Sequence, residues 1–87
     1  MKSAYELAME RLGGEKTYSV EQKKQFAEID GKYEAKRVEA KFAADKQLAE
    51  AGADPARQDE IREELARELR RLDEKREAEK DRIRQET

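Results

Sequence analysis

The sequence predicts an all-α chain: a short N-terminal helix, then a long, coiled-coil-like antiparallel helical hairpin that is expected to dimerise into a helical bundle. Three observations carry this expectation. Apolar and polar side chains alternate only over short runs, such as 17–21 and 32–36, and nowhere keep up the pattern of a half-buried strand. Apolar residues instead recur at helical spacing along two long stretches with almost no glycine or proline. A single short interruption, AGADPA at 51–56, divides these stretches into nearly equal pieces, as a hairpin requires.

The first element is expected over about residues 4–12. Ser3 and Glu6 have the spacing of a capping box, Tyr5, Ala8, Met9 and Leu12 fall on one stripe, and Gly13-Gly14 ends the turn and forms a hinge. Residues 1–14 thus make a small amphipathic unit ahead of a hairpin over 15–87. After the linker EKTYS, Ser19 and Gln22 form a second capping box that opens a helix over about 20–51. In AGADPA, Gly52 is placed for a left-handed position after the helix. Asp54 can cap the next helix, and Pro55 fits its first position, where a missing N–H is harmless. The last helix is expected over about 55–85. At 1.5 Å per residue both long helices measure roughly 45–48 Å.

The stripes assign faces. On the second long helix Ile61, Leu65, Leu69, Leu72 and Ile83 line up, interrupted near the end by Arg76 and Glu79. The first long helix carries two stripes on nearly opposite sides: Phe26, Ile29, Tyr33, Ala40, Ala44 and Leu48, and then Gly31, Ala35, Val38, Phe42 and Ala49. Folding about Ala53 brings Leu65 level with Ala40, Leu72 with Tyr33, and Ile83 with Lys23. The leucine stripe therefore answers the first stripe, and the second is left for another partner. The N-terminal helix is one candidate, but it is short, and a second copy of the chain is the expected cover. Gly31 and Ala35 would let two backbones approach, and Phe42 would serve as anchor. At the open end, Ala78 and Ile83 face Phe26, Ile29 and Tyr33, which leaves the core under-filled. The N-terminal segment can cover that end with Tyr5, Met9 and Leu12, or present them to another protein.

Composition narrows the function. Charged residues make up 48% of the chain and hydrophobic ones 36%, which leaves little material to enclose an active site. There is no histidine or cysteine, and the few hydroxyls stand at caps, in the linker or at the end of the chain, so no enzyme is expected. No cofactor or metal is expected either, since Glu60 and Glu64 share a face without the Glu-x-x-His pair that di-metal bundles use. The 22 acids and 20 bases interleave, many as i,i+3 pairs such as Asp59–Arg62, Glu64–Arg67, Glu68–Arg71, Asp73–Arg76 and Glu77–Lys80. Arg62, Arg67, Arg70, Arg71 and Arg82 point around their helix among acids, unlike a phosphate-tracking groove. Nucleic acid and membrane are therefore not the expected partners, and a cytoplasmic location is expected. The favoured reading is a structural or protein-interaction module. An RNA- or DNA-binding protein, or an accessory factor of RNA polymerase or the ribosome, is the alternative.

Some segments resemble known groups. MKSAYELAMERL, together with the later ELRRLDEK, resembles a group of small bacterial helical proteins of unknown function, which implies a bacterial cytosolic origin and no functional residue. The acidic tip, with Glu50, Asp54, Asp59 and Glu60, loosely resembles the coiled-coil tips of bacterial transcript-cleavage and stringent-response factors. Those factors carry an additional globular part that this pattern lacks. SVEQKKQF is similar to a helix opening of periplasmic helical chaperones, although a capped start explains it equally.

Overall fold

The computed structural model describes Ser3, Ala4 and residues 18–86. Within them, helix α1, Val20–Ala51, and helix α2, Pro55–Gln85, pack against each other as an antiparallel hairpin. No strand occurs among the described residues. The longest dimension is 59 Å, whereas a single helix running through Pro55 would reach about 95 Å. The N-terminal segment with Tyr5, Ala8, Met9 and Leu12, and the Gly13-Gly14 hinge, lie outside the described residues.

Polar side chains define both helix starts. Ser19 Oγ accepts from the Gln22 N–H at 3.0 Å, while the Ser19 N–H donates to Gln22 Oε1 at 2.9 Å. The same glutamine side chain donates through Nε2 to the Ile83 carbonyl at 3.3 Å. One residue thus closes the cap of α1 and adds a second donor to the Ile83 carbonyl, which also accepts from the Glu86 N–H at 3.1 Å at the end of α2. At the start of α2, Asp54 Oδ1 accepts from the N–H groups of Ala56 and Arg57 at 3.1 and 3.3 Å, with Pro55 at the first position.

The turn differs from expectation in one respect. Gly52 has φ 61° and ψ −129°, so its φ is positive but its ψ is far from that of the left-handed helix. These angles suit the first central position of a type II′ turn. Such a turn is closed by the Asp54 N–H donating to the Ala51 carbonyl at 3.4 Å. The chain reverses in three residues because only glycine adopts this conformation without strain.

The core is a single seam between the helices. Ile61 is 1% exposed, and Tyr33, Ala44, Leu72 and Ile83 are also buried. Phe26, Ile29, Ala40, Leu48, Leu65 and Leu69 are half-buried beside them. A seam two helices wide covers each side chain from one direction, which is why so few are fully enclosed. Ala78, expected to help fill the open end, is exposed instead. That end is closed by other means: Tyr18 meets Phe26 edge-on with ring centroids 5.0 Å apart, and the Lys80 and Arg84 cations each stand 5.7 Å from the Phe26 ring. Long basic side chains here do the covering that an apolar neighbour would otherwise do.

Candidate interaction surface

Ion pairs join α1 and α2 across the hairpin. Lys32 Nζ donates to Glu79 Oε1 at 2.8 Å, Arg37 Nη1 to Asp73 Oδ1 at 2.8 Å, and Lys80 Nζ to Asp30 Oδ1 at 3.1 Å. Of the two residues that interrupt the leucine stripe, Glu79 takes its cation from the opposite helix. Lys32, and then the nearby Tyr33 hydroxyl, hold the Glu79 carboxyl below the usual carboxylate range. The same carboxylate pushes the Lys32 ammonium and the Tyr33 phenol up. Lys80 reaches Asp30 across the seam, while its expected partner Glu77 accepts from Arg84 at 3.3 Å. Arg62, Arg71 and Arg76 each keep an i−3 acid at 3.7 Å, in Asp59, Glu68 and Asp73 respectively.

With α1 held this way, its second stripe faces away from α2. Gly31, Ala35, Val38, Phe42 and Ala49 are all exposed. Phe42 is 70% exposed and Val38 41%. Leaving such side chains in water forgoes most of the roughly 1.5–3 kcal/mol that burying each would contribute. Small residues occupy the rest of the stripe: a Cβ added at Gly31 would meet nothing within 4 Å, so a neighbouring molecule could approach the backbone closely there. Charged side chains border the stripe, with Lys32 and Glu39 along one edge and Glu34 and Lys41 along the other, all exposed.

The described residues contain no group of three or more acids placed to hold a metal ion, and no helix long and apolar enough to cross a membrane. One groove beside the seam is lined largely by charged side chains, Lys36, Glu39, Glu68, Arg71 and Lys75 around Tyr33 and Leu72, and another, nearer the turn, by Ala40, Ala43, Ala44, Ile61 and Leu65 with Glu64 and Glu68. The apolar face of α1 is the feature that the intramolecular packing leaves unexplained. Sequence reasoning missed two contributors. Tyr18 reads as part of a linker, and its pairing with Phe26 becomes visible only when the chain direction ahead of Ser19 is known. The interhelical ion pairs follow from register, since charges on separate helices cannot be matched until the turn geometry is fixed. Comparison with known proteins adds no identity: no family model, curated protein or solved structure matches this chain.

Proposed function

We propose that the chain is a non-enzymatic protein-interaction module, and that its working surface is the outward face of α1, which takes a second copy of the same chain. The observation that carries this reading is the exposure of Phe42 and Val38, at 70% and 41%, on the side of α1 turned away from its own hairpin. A two-helix hairpin has only one seam, and pairing two of them buries a second, which gives a four-helix assembly. The interleaved charges support a protein partner over a polyanion, since the two signs stay mixed on every side of α2.

Sedimentation equilibrium over a wide concentration range tests the reading. The wild-type chain is expected to show a monomer–dimer equilibrium, and V38E/F42E to remain monomeric with undiminished helicity, since both positions lie outside the seam. A wild-type chain that stays monomeric at millimolar concentration would overturn it.

A further inference from the structure

The outward face of α1 carries more than apolar exposure. Its residues follow the alternating four- and three-residue steps of a coiled-coil seam: Gly31, Ala35, Val38, Phe42, then Asp45 and Ala49. The bordering charges occupy the flanking positions that decide how such helices pair. Lys32 and Glu39 lie on one edge, Glu34 and Lys41 on the other. These charges and the sizes of the seam residues permit a choice among arrangements of two copies.

In a parallel pair, equal positions meet. Gly31 would face Gly31 and leave a void, Phe42 would crowd Phe42, and the flanks would set Glu34 against the partner's Glu39 and Lys41 against the partner's Lys46. Both flank contacts are between like charges. An antiparallel pair with Val38 opposite the partner's Phe42 fares no better, because it brings Glu39 to the partner's Glu39 and Lys41 to the partner's Lys41. Sliding this pair by one heptad changes every contact. Phe42 then lies over the partner's Gly31, Ala35 meets the partner's Val38, Glu34 faces the partner's Lys41, and the partner's Glu39 comes to the side of Lys32, whose ammonium is shared with Glu79 of its own hairpin.

We infer that two copies of this chain pair antiparallel through α1, centred between residues 36 and 37, with each Phe42 seated on the partner's Gly31. Size and charge agree independently on this register. The largest seam side chain meets the position where even a Cβ would find open space, and every flank pair joins opposite signs, twice over by symmetry. At either end Glu28 meets the partner's Asp45, two acids that confine the contact to the stretch between Gly31 and Phe42. The overlap is short, so the pair is a weak and reversible one. The hairpin seam lies on the opposite side of α1, and α2 of each copy stays clear of the contact.

The inference rests on the self-association proposed above, and cross-linking separates the failure of one from the failure of the other. The chain has no cysteine of its own, and E28C and D45C alter exposed positions outside the core. Mixed and oxidised, these two variants are expected to give the mixed disulfide dimer. Each alone should stay uncross-linked, because residues 28 and 45 of one helix lie about 25 Å apart and a disulfide needs Cα atoms within about 7 Å. Homotypic dimers of each variant would overturn the antiparallel register while leaving self-association standing. Absence of any cross-link together with a monomeric wild type in sedimentation would overturn both. A charge exchange checks the register without cysteines: E34K is expected to weaken association about tenfold, and E34K/K41E to restore it. In a parallel pair E34K would instead tighten association, by relieving the contact with the partner's Glu39.

Discussion

The two faces of α1 both carry apolar side chains and meet opposite fates. One, with Tyr33 and Ala44 at 7% and 6% exposure, is pressed against α2; the other leaves Phe42 at 70%. The difference does not come from hydrophobicity alone, since the outward face holds an aromatic and a valine. The inward face is the richer, with Phe26, Ile29, Tyr33 and Leu48 against Val38 and Phe42, and the charges beside it also find partners across the seam. Lys32, Asp30 and Arg37 reach acids and a base on α2, and these pairs hold the helix with one stripe inward. Apolar stripes supply the affinity of a helix for a partner, and flanking charges select which stripe meets which partner.

Breaking the inward face should have the largest effect. Ile61→Ala removes the most buried side chain, at 1% exposure, and is expected to lower stability by roughly 2–5 kcal/mol in chemical denaturation. For a hairpin of this size that is a large part of the total. Gly52→Ala comes next. Its positive φ of 61° makes any side chain there strained, at about 1–3 kcal/mol, even though the space is open. A loss of stability with helix content retained is the expected result.

The polar seam gives a smaller, pH-dependent effect. The Glu79 carboxyl is held low by Lys32 and Tyr33, so its contribution is present above the unfolded value of about 4.3 and lost as pH falls through the lower folded value. Lys32 and Tyr33 are raised, so theirs is present below about 10 and lost as pH rises through the folded values. Melting temperatures should therefore fall off at both extremes, and Glu79→Gln should flatten both slopes while lowering the plateau between them. Changes on the outward face sharpen the comparison by doing least. At concentrations where the chain is monomeric, Phe42→Gln should change folding stability by no more than about 0.5 kcal/mol.

Much of the hairpin was legible because its signals are local. Ser19 with Gln22, and Asp54 with Pro55, declare the helix starts through spacings of one to three residues, and Ile61 to Ile83 declare the inward face of α2 by period. What the sequence concealed is non-local or conformational. Gly52 announces a positive φ, but the choice between a left-handed and a type II′ geometry depends on how the two helices cross. The partners of Asp30, Lys32, Arg37 and Phe26 depend on register across some fifty residues of chain, as the Asp30–Lys80 pair shows. On α1 the more apolar of the two stripes was assigned to α2 from the sequence, and the interhelical charges that accompany it appear only once the hairpin is closed. The outward stripe was readable as a surface in search of a cover, and the antiparallel register proposed for it rests on its flanking charges placed against a second copy.

The chain's two valines offer the most direct test of the claim that the outward face of α1 is where a second copy binds. Val20 and Val38 are both exposed, at 85% and 41%, but only Val38 lies within the proposed overlap. Methyl spectra of protein labelled at valine and isoleucine, recorded from micromolar to millimolar concentration, should show Val38 signals moving with concentration while Val20 signals and those of Ile61 stay fixed. Val38 signals that hold still across the whole range, or that move no more than those of Val20, would contradict the account.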